Sequence, residues 1–540
     1  MRGIARALCV VCVVGLARPQ TLNSSDANVD PVSRQLFDYR WRKQRPDLLT
    51  ISSGEPVYFD QTVALNSVLL NNRYVVESLQ HAVNERTPDR EVFAKGTGAH
   101  GYFEVTNDVT KYTKAKLFEK VGKRSRILVR LSVSQGEKGT TDLNPVAGKG
   151  FSVRFYTEEG NFDLLGLNTP VYFYKDPTLF REFVHAFRPN PKTFIRDGHT
   201  AVDFVTFNPV SLHTILWQLS EYGLPRGFRH MHGFPCHTYE LYNEHGESYF
   251  VKFKFIAELG FDSFSLLEAS TITSFDPDFF IRDLYNSIEN KNYPAWRFEM
   301  DVLNTSDLRK LKFDPFDVAR LWPNGTYTTV EIGRLVLNQN VKNQFAEVEQ
   351  AAFNPTNLVP GIIEPPDQLF RGRVIAYNDA QIHRLGINRN KININCPMYA
   401  KTYNRDGIPP TLDNEGDAVN YYRNSFNGPI PLLDIARPQR QLIIEQSSAV
   451  DLQDCWRFYN EVLVTDAQKQ RLVNAVVMVA IRVKTTLQKK LVRLLRQVDP
   501  KLAARFVATI DIFKKTVRLP QVVEDINRTN PNPFSNVTMS

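Results

Sequence analysis

Cysteine is scarce, at five in 540 residues, too few for a disulfide scaffold. No stretch reaches the about 20 consecutive apolar residues of a membrane-spanning helix, so no membrane span is expected. Nor does one sign of charge accumulate: Lys plus Arg number 66 against 58 for Asp plus Glu, and the surplus is spread along the chain. Nucleic-acid binding is therefore not implied. The C-terminal Val537-Thr-Met-Ser540 carries neither a peroxisomal nor an ER-retention signal. What remains is an ordinary globular balance, 42% hydrophobic and 23% charged, which excludes fibrous and disordered classes. At about 150 residues per domain the length suggests roughly three or four domains, although β-rich domains often exceed that size.

The first 17 residues combine basic Arg2 and Arg6, an apolar run over 7–16 and small Gly15 and Ala17. This pattern predicts a cleaved signal peptide and a secreted, extracellular product. Cys9 and Cys12 would leave with it, so Cys236, Cys396 and Cys455 remain. An odd count fits buried free thiols, or one bridge and a spare. Sequons at Asn23, Asn304, Asn324, Asn527 and Asn536 fit a glycoprotein.

Residues 18–86 read as an extended arm with a short helix at 75–83. Runs rich in Val, Phe and Tyr between turn residues predict strands at 101–105, 127–133, 151–156, 171–174 and 249–255, with a helix over 211–222. Pro, Asn and Gly are frequent from 313 to 431, which predicts a long wrapping segment. Over 465–498 apolar residues recur at steps of three and four behind a Thr465/Gln468 capping box, predicting one helix. Its basic residues read as a solvated outer face rather than a membrane surface. Past 519 the chain is polar, a mobile tail.

Gly96-Thr-Gly-Ala-His-Gly101 has dinucleotide spacing, but Tyr102-Phe-Glu-Val continues as a strand where the fingerprint needs a helix. Cys9-Val-Val-Cys12 lies in the signal and lacks a following His. Arg229-His-Met-His-Gly-Phe-Pro-Cys-His237 offers three His and one Cys, yet lacks a partner pair of zinc ligands, which favours structural hydrogen bonds. The most specific segment is Arg373-Val-Ile-Ala-Tyr377-Asn-Asp-Ala-Gln-Ile-His383-Arg384. One helical turn separates Arg373 from Tyr377, so the guanidinium can stabilise a phenolate, lowering its pKa from about 10. A phenolate is a hard ligand for ferric iron. Arg384 falls on the same face and can pair with a carboxylate. Without further context, such a helix is as readily structural.

Over roughly residues 30–515 the chain resembles haem catalases. The matching stretches are the tyrosine segment, Arg86-Thr-Pro-Asp-Arg90, Ala94-Lys-Gly96, Gly101-Tyr-Phe-Glu-Val105, Gly150-Phe-Ser-Val-Arg-Phe-Tyr156, Asn168-Thr-Pro170, Arg282-Asp-Leu284, Phe313-Asp-Pro-Phe-Asp317 and Leu335-Val-Leu-Asn338. The resemblance implies an α+β fold: an antiparallel eight-stranded β-barrel, a wrapping loop and a C-terminal helical region, assembled as a homotetramer. It divides the chain into a signal peptide (1–17), an N-terminal arm (18–86), a β-barrel haem domain (87–345), a wrapping segment with the proximal tyrosine (346–450), a helical region (451–518) and a tail (519–540). It also implies haem b, with Tyr377 as proximal iron ligand and Arg373 as its partner. Arg90, Arg130 and Arg384 would bind the propionates, and Phe180 would contact the ring.

On the distal side the sequence departs from the family. The essential histidine position is Phe93 and the catalytic asparagine position is Leu167, while Ser132 keeps the distal serine. Dismutation of hydrogen peroxide to water and oxygen needs a proton moved from one peroxide oxygen to the other, with the histidine as shuttle. Losing a positioned acid/base costs about 10²–10⁴ in rate. His100, seven residues from Phe93 along a strand, is a poor substitute. Ala147 replaces the family's channel aspartate. Tyr222 and Ile256 replace the cations expected around NADPH phosphates, although His213 and Ser220 match, so NADPH is not expected. The expectation is a haem-binding homologue with weakened or lost turnover, its partner hydrogen peroxide or another small ligand. The alternatives are an active catalase or peroxidase with a non-standard distal site, and a non-enzymatic haem or small-ligand carrier.

Overall fold

A computed structural model describes residues 30–516 apart from 64, 66–68, 135, 136, 440–445 and 447–449. The expected signal peptide, Cys9, Cys12, the sequons at Asn23, Asn527 and Asn536, and the tail lie outside the described residues. The chain divides into two compact units, Met1–Asn84 and Glu85–Ser540. The first holds α1 (Pro31–Lys43), which starts with an Asp30 cap, and α2 (Arg73–Asn84), which contains the expected short helix.

The second unit is built on β1 (Gly96–Val105), β2 (Arg124–Val133), β3 (Lys149–Thr157), β4 (Gly160–Leu167), β5 (Tyr239–Tyr242), β6 (Ser248–Ala257), β7 (Ala295–Asn304), β8 (Thr328–Asn340) and the two-residue β9 (Ile362–Ile363). They form one antiparallel sheet in the order β4-β3-β2-β1-β8-β7-β6-β5-β9. The sheet curls until residues 233–234 bridge its two sides: Leu167 and Phe234 exchange backbone hydrogen bonds of 3.0 and 2.7 Å, and Gly233 and Phe255 exchange bonds of 2.9 and 2.8 Å. Glycine is required at this seam, because a Cβ on Gly166 would lie 2.6 Å from the Phe234 carbonyl carbon. Gly101 is likewise fixed by sheet packing, since its Cβ would meet the Val336 oxygen at 1.9 Å. The strand expected over 101–105 extends back through the whole glycine-rich Gly96-to-Gly101 motif in β1.

Alternation sorts the side chains to two faces. Inside the barrel, Phe103, Phe151, Phe155, Phe255 and Phe298 are fully buried and in mutual contact, with Phe255 and Phe298 stacked at 4.7 Å. Each such ring is worth about 1.5–3 kcal/mol of burial. The outward face of β2 to β4 is covered rather than solvated: Arg154 forms a two-pronged pair with Asp163 at 2.7 Å, and Leu128, Tyr156 and Leu165 pack with Ala351, Phe353 and Ile394 of the wrapping segment.

Three readings change. Residues 171–174 form no strand; Tyr172 makes a backbone bond to Val318, and the Tyr-Phe-Tyr side chains pack into an aromatic cluster instead. The arm, read as extended apart from 75–83, contains the 13-residue helix α1. The single helix expected over 465–498 is broken at 481–484. Before this break, the unit carries α3 (Leu179–Phe187), α4 (Gly198–Phe207), α5 (Leu212–Leu219), α6 (Leu266–Phe275), α7 (Phe279–Glu289), α8 (Gln368–Leu385) and α9 (Gln453–Arg457). Beyond them come α10 (Asp466–Ala480), α11 (Thr485–Val498) and α12 (Pro500–Thr516). The Thr465/Gln468 capping box starts α10. Tertiary bonds sustain the break: the Lys484 N–H donates to His199 Nε2 at 2.7 Å, and Gln488 Nε2 donates to the Ala480 carbonyl at 2.9 Å. The helices α10, α11 and α12 bury Leu472, Val476, Leu494 and Phe506 against Val202, Leu212 and Trp217 of α4 and α5.

Among the described residues no helix is long and apolar enough to cross a membrane. Cys236 and Cys455 are buried, Cys396 is exposed, and all three are free thiols.

Candidate functional site

The candidate site lies on the outward face of β2 and β4, where α8, residues 88–94 and residues 348–351 meet. Helix α8 begins at Asp367, whose carboxylate accepts from the Phe370 N–H at 2.8 Å, and ends at Gly386 with φ +87°. Steps of four and seven residues put Arg373, Tyr377 and Arg384 on one face.

Arg373 is held from several sides. Its Nη1 donates to His237 Nε2 at 2.7 Å, and its Nη2 donates to the Leu165 carbonyl at 3.2 Å and the Tyr377 hydroxyl at 3.3 Å. His237 in turn donates from Nδ1 to Asp367 at 2.9 Å. Burial pushes the His237 pKa down, so the ring is neutral, and this network fixes its tautomer. Asp367 is itself held below the usual carboxylate range: burial acts to raise it, but His237 and the Phe370 N–H outweigh that. Burial works against the Arg373 charge, yet the Tyr377 and Tyr172 phenols facing it raise its pKa overall. A cation held from several sides is thus aimed at the Tyr377 oxygen.

The other arginines converge nearby. Arg130 Nη2 donates to the Phe93 and Ala94 carbonyls at 2.8 and 3.2 Å. Arg90 Nη2 donates to the carbonyls of Val348, Glu349 and Ala351. Arg384 reaches the Pro88 and Glu349 carbonyls at 3.0 and 2.9 Å. Burial lowers all three pKa values, Arg130 to about 10, and Arg90 is further lowered by its neighbours Arg130 and Arg384. Glu349 is the carboxylate that offsets them, 3.5 Å from Arg90 and shared with Lys138. Three largely buried guanidiniums beside Glu349, with the half-exposed Asp89 as the second carboxylate nearby, form a site short of anions. The buried Nε atoms of Arg130 and Arg373 also have no hydrogen-bond partner. A planar group with two carboxylates and a metal beside Tyr377 fits this donor set.

The expected distal positions are apolar. Phe93, at φ +63°, and Leu167 pack in one cluster with Phe173, Tyr174, Cys236 and Phe180. Ser132 is buried beside Phe93: a Cβ placed on Gly150 would lie 2.5 Å from Ser132 Oγ and 3.0 Å from Phe93 Cδ1. His100 is engaged elsewhere, with Nε2 2.6 Å from Glu347.

The chain that carries this site is similar to known proteins over most of its length. A sequence profile of the catalase family matches residues 50–428. The chain belongs to the catalase family. Catalase-2 of Caenorhabditis elegans is 43% identical over 408 residues, 74% of this chain and 81% of that protein. Catalase of Mus musculus is 38% identical over 499 residues, 90% and 94% of the two chains. Among solved structures, a fungal catalase superposes with a TM-score of 0.81 at 31% identity, covering 86% of this chain and 95% of its own. Catalase A from Saccharomyces cerevisiae gives 0.80 at 32% identity, covering 86% and 99%. The curled antiparallel sheet with its helices is the catalase fold, and catalases typically bind haem and typically form tetramers.

The structure brings together Arg373, Tyr377, Arg90, Arg130 and Arg384 on the basic side, and Phe93, Leu167 and Phe180 on the apolar side. His237, Asp367 and Glu349 are additional members that the sequence reading did not place. His237 stood out within a histidine-rich stretch, but nothing in the sequence joined it to Arg373, 136 residues away.

Proposed function

We propose that this catalase-family protein is secreted, binds haem b through Tyr377, and dismutates hydrogen peroxide weakly or not at all. The carrying observation is the asymmetry of the site: a complete cationic and phenolic half faces Phe93 and Leu167 in an apolar cluster. Bound haem supplies the ferric centre at which peroxide reacts. The chain's part on the proximal side is electrostatic: Arg373, backed by neutral His237 and ionised Asp367, holds a charge against the Tyr377 oxygen. Arg90, Arg130 and Arg384 are the propionate partners. On the distal side neither Phe93 nor Leu167 can accept or donate a proton, so a peroxide proton has no carrier between its oxygens.

NADPH is not a cofactor in this reading. His213 is already engaged at both nitrogens, by the Ala319 carbonyl at 3.0 Å and by Trp217 Nε1 at 3.2 Å, and Tyr222 stacks on Phe261. Exposed Asn304 and Asn324 are available to glycans in a secreted product. Leu412, Leu432, Leu433 and Ile435 of the wrapping segment are exposed apolar residues that this reading buries between copies in a homotetramer.

The test is a visible spectrum and an oxygen-release assay on purified protein beside Tyr377→Phe. A Soret band altered by Tyr377→Phe, with oxygen release at or near background, is expected. Robust Tyr377-dependent turnover would overturn the weakened-enzyme reading, and failure to take up haem would overturn the haem assignment.

A further inference from the structure

A cavity of about 860 Å³ opens beside Phe93 and Leu167 and extends to the C-terminal helices. That is within the range of about 300–1,000 Å³ typical of sites that enclose an organic ligand, and far more than peroxide needs. One wall comes from Phe93, Leu167 and Ala147; the others come from α3, α4, α5, α10 and α11, including Phe183, Ile215 and Val479.

Its charged lining residues are Asp89, Arg90, Glu91, Glu137, Arg188, Arg196 and Asp197, and each is already occupied within the protein. Arg188 pairs with Glu91, Arg196 with Glu137, and Asp89 with Lys138. Asp197 caps α4 at the His199 N–H, and Arg90 is held by three carbonyls. These pairs are roughly half exposed, so they lie at the solvent, and the apolar interior holds no partner for a ligand's charged head: drawing one inside would bury it unpaired, a cost of several kcal/mol. An uncharged apolar molecule avoids that cost and gains from the wall.

We infer that this cavity is a binding site for an uncharged, long-chain apolar molecule of the fatty-alcohol or neutral-lipid class. The inference deepens the reading above, resting on it for the apolar wall at Phe93 and Leu167. That wall lets the ligand's inner end approach the haem position without stranding a polar catalytic group.

Equilibrium dialysis of the full-chain, haem-loaded protein against radiolabelled 1-dodecanol tests it. One molecule bound per chain is expected, with dodecanoate competing at least about tenfold more weakly at pH 8. Ile215→Trp and Val479→Trp, which fill the cavity, should each weaken dodecanol binding about tenfold or more while leaving the Soret band in place. No saturable dodecanol binding, or equal competition by dodecanoate, overturns the inference in the unaltered protein. Undiminished binding in both folded tryptophan variants overturns it as well. These outcomes are separable from the haem reading: a normal Soret band without dodecanol binding sinks only this inference, whereas absent haem uptake sinks the reading beneath it.

Discussion

Phe93 holds its backbone at φ +63°, a conformation uncommon for a bulky side chain and several-fold enriched in His, Asn and Asp. Restoring a histidine there therefore adds no backbone strain, and Leu167→Asn puts a hydrogen-bonding side chain at the end of β4. The double variant Phe93→His with Leu167→Asn should raise oxygen release by about 10²–10⁴, measured with purified, haem-loaded protein. An unchanged rate in a folded, haem-loaded protein would mean that the channel at Ala147, or the haem pose, also limits turnover. On the other side, His237→Leu removes the acceptor of Arg373 Nη1, while Arg373 Nε already lacks a partner. A cost of about 1–3 kcal/mol is expected, measured by urea unfolding, together with a shifted Soret band. A wild-type spectrum and stability would mean that Arg373 is oriented without His237. At this scale the sequence revealed what it could through local spacing: Arg373 and Tyr377 share a helix, and Phe93 and Leu167 sit in matched motifs. His237, Asp367 and Glu349 were illegible because their partners are distant in the chain and the contacts exist only after the sheet curls.

Elements were legible where periodicity is set by burial, and not where tertiary bonds override it. Strands β1, β2, β3 and β6 contain the expected runs, because their inward residues form a fully buried aromatic core. Residues 171–174 have strand composition but follow Pro170 and pair through a lone backbone bond to Val318, so aromatic packing takes the place of a ladder. The break between α10 and α11 contains neither Pro nor Gly, leaving the sequence no punctuation to read. It depends on Gln488, buried, which donates to the Ala480 carbonyl and accepts from Lys514 Nζ at 2.8 Å. Gln488→Leu preserves size but takes the acceptor from Lys514 Nζ and leaves the Ala480 carbonyl with only the Val483 N–H, at 3.0 Å. A loss of about 1–3 kcal/mol is expected from urea unfolding. A neutral effect would mean that the Val483 N–H suffices for the Ala480 carbonyl, and that the break does not need the amide.

At the scale of the whole molecule, buried titratable groups set how stability follows pH. Burial depresses the pKa values of His213, His232 and His237. A depressed histidine contributes stability that is present above its unfolded value of about 6.5 and lost as pH falls through its folded value. Lys149, buried and donating to the carbonyls of Asn144, Ala147 and Gly223, has its pKa lowered to about 7 by burial. Its contribution is complete above about 10.4 and declines as pH falls toward 7. Asp142 acts in the other direction: burial raises it to about 6, so its contribution is present below about 3.9 and lost as pH rises through 6. Below pH 6.5 the three histidines oppose Asp142, Asp314 and Glu159, all raised by burial, and above it Lys149 and Lys252, both lowered by burial, act in the same sense as the histidines. The midpoint of thermal unfolding should therefore fall continuously from about pH 8 to about pH 5, followed by circular dichroism. His232→Gln should flatten the lower part of that curve, because a glutamine oxygen can still accept from the Ala257 N–H, now 3.1 Å from His232 Nδ1, without titrating. A midpoint that is level or rises toward pH 5 would mean that Asp142, Asp314 and Glu159 together outweigh the three rings, or that the histidines are exposed before the cooperative transition.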